Sequence, residues 1–230
     1  MASKKLFQLI DLDRTLFDTS LYVKLICDVV DEYEAGLGAE IDRKFEEAYH
    51  KEETFFALEY IRERLGKESY EHMLEAAVSK AGTEGLLLPG AKDRLAFAKT
   101  LAGNDDGYSH GLLTYSENPA DQLKKVQLVG LDHIPMYVGD SPDKAQLIAS
   151  WRTADGRYQL PVEFGGAVVD KLTLEDDKLR AFVGLPENVK GVWLTHYEDA
   201  VERMNEANVK HVTIAKDLYE SMQALSSEAV

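Results

Sequence analysis

Apolar residues follow two different rhythms along this chain. Residues 6–10 (LFQLI) form a short apolar run that ends abruptly at Asp11, which predicts a buried parallel strand. From about residue 20 to 81, apolar side chains recur every three or four positions, and glycines separate the segments. This period predicts a block of four amphipathic helices with almost no strand signal.

After Pro89-Gly90 the rhythm changes to short apolar runs that alternate with helical segments. We predict helices over 91–102, 120–129 and 142–151. The predicted strands are 110–115, 134–138, a run (GGAVVD) that ends at Asp170, 191–197 and 211–215. Such alternation is typical of a doubly wound, mainly parallel sheet with helices on both faces.

The first strand belongs to this later sheet, so the helical block interrupts one α/β unit. We therefore predict the α/β fold class with two parts. Residues 1–16 and 88–230 form a Rossmann-like core, and residues 17–87 form an inserted all-helical domain.

Composition narrows the function classes. Of 230 residues, 45% are hydrophobic, and 41 acidic residues outweigh 26 basic ones for a net charge of −15. Such a charge disfavours nucleic acid and anionic membranes as partners. No apolar stretch approaches a membrane span, and aspartates interrupt any signal-like segment near the N-terminus. With the single cysteine, Cys27, this predicts a cytoplasmic protein. The oligomeric state stays open.

Candidate chemistry lies where the predicted strands end, since open α/β sheets bind ligands at that edge. Asp11 and Asp13 follow the first strand, Thr114 ends the next, and Asp170 ends a later one. Clustered carboxylates repel one another unless a cation lies between them. Oxygen ligands suit a hard ion, and Mg²⁺ is usual beside phosphate.

Lys144 is predicted to lie at the start of a helix. Ser141 is predicted to cap a helix whose first residue is Pro142, which puts Lys144 in the first turn. A cation is unfavourable at that helix end unless an anion such as phosphate lies beside it.

The segment DLDRTLFDT at 11–19 resembles the first motif, Asp-x-Asp-x-Thr, of the haloacid dehalogenase (HAD) superfamily. GLLTYSENP, SPDKAQLIA and AVVD follow in that superfamily's order of motifs. A helical cap inserted after the first motif is one of its common layouts. LLLPGAKDRLAFAKTLAG resembles the return from cap to core. The resemblance covers essentially the whole chain and indicates a phosphatase-type member.

The resemblance implies a role for each matched residue. Asp11 would be the nucleophile that forms an aspartyl-phosphate, and Asp13 the general acid and then base, which would need a raised pKa. Thr114 and Lys144 would hold the phosphoryl oxygens. Asp11, Asp170 and the backbone carbonyl of Asp13 would bind Mg²⁺.

Two positions depart from the family pattern. Position 14 is arginine where the family most often has glycine, and Arg14 either contacts phosphate or, as we favour, points away. Lys171 follows Asp170 where a second acid is usual, so either Glu175 or a water completes the metal site. Asp140 is an alternative to Asp170 as the acid of the last motif. We favour Asp170, because Asp140 follows Thr114 too closely.

The helix and loop after Thr114 leave further residues open. Tyr115 either lines the mouth of the pocket or caps the next helix. Lys124 and Lys125 are predicted to form a solvated helix face rather than to bind phosphate.

The predicted function is an enzyme, a Mg²⁺-dependent phosphatase acting on a small phosphorylated metabolite. A dehalogenase is disfavoured because that branch does not keep the second acid, Asp13. A phosphomutase stays open. The alternative from another class is a non-catalytic HAD-like protein that binds a ligand or partner, which Lys171 favours. The sequence does not identify the substrate.

Overall fold

A computed structural model describes residues 5–51, 53–81, 85–101 and 109–226. Its centre is a sheet of six parallel strands, and two further strands form a small antiparallel hairpin. In chain order the strands are β1 (Leu6–Ile10), β2 (His110–Tyr115), β3 (Met136–Gly139), β4 (Tyr158–Gln159), β5 (Val168–Val169), β6 (Lys171–Asp176), β7 (Val189–Leu194) and β8 (Val212–Ala215). The sheet order is β3-β2-β1-β6-β7-β8, so the predicted α/β fold class is confirmed.

The helices fall into two groups, four in the segment 17–87 that follows β1 and the rest around the sheet. They are α1 (Thr19–Val30), α2 (Leu37–His50), α3 (Ala57–Leu65), α4 (Lys67–Ala81), α5 (Ala91–Leu101), α6 (Pro119–Leu128), α7 (Lys144–Ser150), α8 (Ala200–Glu206) and α9 (Leu218–Ser226). Within the described part of the chain, none has the length and apolarity needed to cross a bilayer.

The chain enters and leaves the helical group through two segments that lie side by side. The backbone N–H of Asp18 donates to the carbonyl of Leu86 at 2.8 Å, and Leu88 donates to Leu16 at 2.9 Å. Phe17 and Leu87 form an antiparallel bridge between them. The predicted boundaries at 17 and 87 fall at this ribbon. The division into two domains stays a prediction.

The prediction of a sheet strand ending at Asp170 is wrong. Val168–Val169 pairs with β4 in the hairpin, and the sheet strand β6 begins only at Lys171. Asp170 therefore precedes the strand. Its carboxylate accepts a hydrogen bond from the backbone of Lys5 at 2.8 Å, at the amino end of β1.

Strand β6 was not predicted because polar residues alternate with its leucines. Leu172 and Leu174 are buried, as the alternation suggests, but Thr173 and Glu175 are buried as well. Glu175 accepts a hydrogen bond from Arg94 of α5 at 2.8 Å, and both side chains are at most 1% exposed. This pairing lets an acidic residue lie inside a central strand.

Candidate active site

The carboxyl ends of β1, β2 and β6 meet at one edge of the sheet. Ile10 is in register with Glu175, and the N–H of Asp11 donates to the Glu175 carbonyl at 2.9 Å. The register therefore brings Asp11 beside Asp176, the last residue of β6. Thr114 lies near the end of β2 on the other side of β1 and is 2% exposed.

Lys144 joins these strands from the start of α7. Its buried ammonium contacts Asp11 and donates to Asp176 Oδ2 at 2.5 Å. Burial lowers the pKa of Lys144, but the two carboxylates outweigh burial and the pKa is raised overall. The amine is thus fixed in its charged form next to Asp11.

Lys144 begins the helix rather than following a Ser141 cap. The N-cap is Asp143, and Ser141 Oγ instead accepts a hydrogen bond from the Asp143 N–H at 3.2 Å. The predicted cap and the predicted helix start at Pro142 are therefore wrong, although Lys144 does lie in the first turn.

Three carboxylates, those of Asp11, Asp176 and Asp177, form a cluster in which one oxygen of each lies within 4.8 Å of the others. Burial raises the pKa of Asp11 to about 7; repulsion from Asp176 and Asp13 adds to the rise, and Lys144 opposes it. Burial also raises the pKa of Asp177, helped by repulsion from Asp176 and Asp11.

This cluster fits a divalent cation. When all three carboxylates are ionised, they outnumber the Lys144 ammonium and leave two negative charges among these four groups. A bound cation would offset the repulsion that raises the pKa of Asp11 and of Asp177. Asp177 Oδ2 is buried and has no hydrogen-bond partner among the described residues. Mg²⁺ uses a few carboxylate oxygens and fills its remaining positions with water and phosphate oxygens. These residues could therefore hold Mg²⁺.

Asp13 is held by a different set of groups. Its Oδ1 accepts hydrogen bonds from Lys125 Nζ at 2.6 Å and Thr19 Oγ1 at 2.7 Å, and its Oδ2 accepts one from Gln122 at 2.9 Å. Burial raises the pKa of Asp13, but the Lys125 ammonium and these hydrogen bonds outweigh burial, so the pKa is lowered. The expectation of a raised pKa is wrong, because Lys125 stabilises the carboxylate.

Arg14 lies in a tight turn after Asp13. The carbonyl of Leu12 accepts hydrogen bonds from the backbones of Leu16 and Phe17 at 3.0 and 2.9 Å, and this turn gives Arg14 a φ of 58°. Such a backbone favours glycine, and an arginine there costs about 1–2 kcal/mol. The structure does not favour the prediction that Arg14 points away from the site: Arg14 lines the cavity, and its guanidinium lies over the ring of Tyr49, another wall residue.

Three other predicted residues do not join the carboxylate cluster. Asp170 lies six residues before Asp176, at the opposite edge of the sheet, or roughly 20 Å away along an extended strand. The structure therefore does not bring Asp170, which the sequence predicts as a metal ligand, to the carboxylate cluster. Glu175 is engaged by Arg94 and Ser221. Asp140 is an exposed bend residue after β3 and is not part of the cavity wall.

The carboxylates that complete the cluster, Asp176 and Asp177, were not predicted as site residues. The signal was present, because the alternation of KLTLED followed by a second aspartate gives a strand that ends in two acids. Gln122 and Lys125 were missed for another reason. They lie three residues apart on α6, so they share a face, but nothing in the sequence tells which face meets Asp13.

The site opens into a cavity of about 330 Å³ between the sheet edge and the helical group. The sheet side is charged, while apolar and aromatic side chains of α1, α2 and the start of α3 form the other wall. Tyr115 lines it and packs edge-on against Phe56, with ring centroids 5.9 Å apart. Further wall residues from the helical group are Tyr22, Val23, Ile26, Phe45, Tyr49 and Phe55.

Comparison of the sequence with family models and with curated proteins gives no match. Solved structures do match. A haloacid dehalogenase-like hydrolase from Burkholderia xenovorans is 13% identical, with 98% of each chain covered and a TM-score of 0.63. The L-2-haloacid dehalogenase from Xanthobacter autotrophicus is also 13% identical, with 98% of this chain and 100% of that chain covered and a TM-score of 0.56.

A HAD hydrolase from Bacillus subtilis, bound to magnesium, is 14% identical, with 97% of this chain and 99% of that chain covered and a TM-score of 0.53. The chain therefore has the fold of the haloacid dehalogenase-like hydrolases, as the sequence resemblance implied.

Proposed function

We propose that the protein is a Mg²⁺-dependent phosphatase that hydrolyses a small phosphomonoester through an aspartyl-phosphate. The observation that carries the proposal is the cluster of Asp11, Asp176 and Asp177, of which the first two are buried, with Lys144 held against those two. A phosphoryl dianion needs positive charge to approach a carboxylate nucleophile, and this cluster suits a cation that would supply it.

The proposed reaction has two displacements. The Asp11 carboxylate attacks phosphorus, the ester P–O bond breaks, and the alcohol leaves after taking up one proton. Water then attacks the phosphorus of the aspartyl-phosphate, which releases inorganic phosphate and restores Asp11. When bound, Mg²⁺ would neutralise charge on the transferring phosphoryl group.

Residues of the chain have distinct parts in these steps. Lys144 would hold a phosphoryl oxygen and orient Asp11, and Thr114 would donate its hydroxyl to the same group. Asp13, with its pKa lowered by Lys125, is ionised near neutral pH. It is therefore suited to take a proton from the attacking water. In the first step, the Asp13–Lys125 pair is proposed to deliver the proton that the leaving alcohol takes up.

Two alternatives are weakened by the same geometry. The non-catalytic interpretation rests on Lys171, which is in register with Leu6 at the amino end of the sheet, away from the cluster. Dehalogenases occur among the proteins of similar fold, but an acidic cluster that suits a cation favours a phosphoryl substrate. A phosphomutase would use the same residues and stays open. The cytoplasmic location and the absence of a nucleic-acid partner also stay predictions.

The first test is hydrolysis of p-nitrophenyl phosphate with Mg²⁺ and with EDTA. Turnover should need Mg²⁺, and Asp11→Asn should lower it by roughly 10⁴-fold or more, because the nucleophile is lost. Asp140→Asn, an exposed aspartate at the same sheet edge, is the matched control and should keep wild-type turnover.

A parallel assay measures halide release from 2-chloropropionate. Halide release that requires Asp11, without any phosphate release, would replace the phosphatase by a dehalogenase. Full phosphatase activity in Asp11→Asn would remove the nucleophile assignment.

A further inference from the structure

Arg14 occupies the wall of the cavity where the turn after β1 meets α2. Its guanidinium carbon lies 3.6 Å from the ring centroid of Tyr49 and 4.6 Å from that of Phe45. A guanidinium stacked on an aromatic ring keeps the N–H donors at its edge available. Tyr49 and Phe45 thus fix the plane of the guanidinium and leave its edge for another partner.

The charge of Arg14 acts on Asp177, where it opposes the rise in pKa that burial causes, but no carboxylate of the described residues forms an ion pair with it closer than 4.0 Å. Among the described residues its guanidinium has one ion pair, at 4.0 Å, with Glu46, whose side chain is 52% exposed. Such a pair is weak and screened by solvent. Four other cations line the cavity. Lys125, Lys144 and Arg180 each have a carboxylate partner at 2.8 Å or less, and Lys178 donates to the hydroxyl of Thr54 at 2.8 Å.

The backbone of Arg14 points to the same conclusion. Its φ of 58° lies in the left-handed region, where glycine would be unstrained. A strained residue whose side chain enters a cavity is a candidate for function, because the strain must be offset by the rest of the fold.

Resting on the phosphatase function proposed above, we propose that Arg14 binds a carboxylate on the alcohol part of the substrate. The substrate class is then a phosphomonoester that also carries a carboxylate. A planar carboxylate matches the edge of a planar guanidinium through two parallel hydrogen bonds. The apolar wall formed by Tyr22, Val23 and Phe55 suits the body of the molecule, and the cavity of about 330 Å³ limits it to a small metabolite.

The test uses two esters of nearly the same shape, para-carboxyphenyl phosphate and para-carbamoylphenyl phosphate, of which only the first carries a carboxylate. The wild type should prefer the carboxylate in kcat/KM. Arg14→Gly, which suits the left-handed backbone, should lower the carboxylate-to-carboxamide ratio by tenfold to a hundredfold, the range of a charge-assisted hydrogen bond. Arg14→Lys keeps the positive charge but loses the two parallel N–H donors. Its carboxylate-to-carboxamide ratio should fall between those of the wild type and Arg14→Gly.

Arg43→Gln is the matched control. Arg43 lies on α2 in an exposed pair with Glu47, and its loss should leave the ratio unchanged. The proposal is overturned if the wild type shows no preference, or if Arg14→Gly slows both esters equally. Equal slowing would mean that Arg14 serves the phosphoryl group or the packing of α2.

A binding measurement separates this proposal from the phosphatase proposal. Calorimetry with para-carboxybenzylphosphonate and its carboxamide needs no turnover. If neither ester is hydrolysed, the phosphatase proposal fails. Tighter binding of the carboxylate by at least tenfold, lost in Arg14→Gly, would still support the Arg14 site. Equal binding of the two phosphonates, or no binding of either, would overturn it.

Discussion

Lys125 Nζ lies 2.6 Å from Asp13 Oδ1, so an ion pair joins α6 to the turn that follows β1. Two residues earlier, Asp11 is paired with a different lysine, Lys144 of α7. The two lysines leave the two aspartates with different pKa values. The pKa of Asp11 is raised to about 7 by burial, whereas that of Asp13 is lowered because Lys125 and two further donors outweigh burial. Neighbouring carboxylates with separated pKa values can take different chemical roles.

Replacing Lys125 should therefore alter how Asp13 handles protons. In Lys125→Met the pKa of Asp13 rises, because the carboxylate loses its charge partner, so a higher pH is needed to ionise it. We expect kcat to fall by roughly 10²-fold at neutral pH and the acidic limb of the pH profile to move upward. Lys124→Met, an exposed neighbour on the same helix, is the control. An unmoved limb would assign proton transfer to another group.

Metal affinity should depend on Asp177 and not on Asp170. Asp177 belongs to the carboxylate cluster, while Asp170 accepts a hydrogen bond from Lys5 at the opposite edge of the sheet. Asp177→Asn should weaken Mg²⁺ binding by roughly tenfold to a hundredfold, measured by calorimetry. Asp170→Asn should leave the titration unchanged. The reverse pattern would restore the assignment made from the sequence.

Mg²⁺ binding should also become tighter with rising pH. The pKa of Asp11 is raised to about 7 by burial, so below that pH a proton competes with the cation for the carboxylate. Each unit of pH from 5 to 7 should then tighten binding by about tenfold through Asp11, and by more where Asp177, whose pKa burial also raises, loses its own proton. Titrations at several pH values would check this; an affinity independent of pH would contradict it.

The buried pair of Arg94 and Glu175 should matter for stability. Both side chains are at most 1% exposed and lie 2.8 Å apart. Arg94→Met leaves a buried carboxylate without its main partner, which should lower the free energy of unfolding by about 3–5 kcal/mol. Urea unfolding measures this. Arg43→Met removes an exposed pair and should cost less than about 1 kcal/mol. A similar cost for both variants would contradict the expectation.

The sequence predicted strands where apolar runs mark them and failed where burial depends on a distant partner. β1 and β2 are nearly continuous apolar runs and were predicted with their observed bounds. β6 contains Thr173 and Glu175. They are buried because other elements cover both faces of the sheet, and Arg94 neutralises the acid. Arg94 is 81 residues from Glu175 in sequence, so no local pattern links them.

The same limit applies to the site. Asp11, Asp13, Thr114 and Lys144 were recognisable because they stand at strand ends or helix starts, and the structure brings all four to one cavity. Their chemical roles stay predictions. Lys125 looked like a solvated helix residue, and its contact with Asp13 depends on how α6 is rotated against β1. Rotation of a helix about its axis is set by tertiary packing, which the sequence alone does not specify.

The ribbon formed by residues 16–18 and 86–88 has a consequence for how such a protein can change. The chain leaves the sheet and returns to it at adjacent hydrogen-bonded positions. The packing of the sheet therefore does not depend on the length of the helical segment between them. Closing a loop of double the length costs only about 0.6 kcal/mol more. An insert of another size or shape could be grafted at these positions, giving the same carboxylates a different set of molecules to accept.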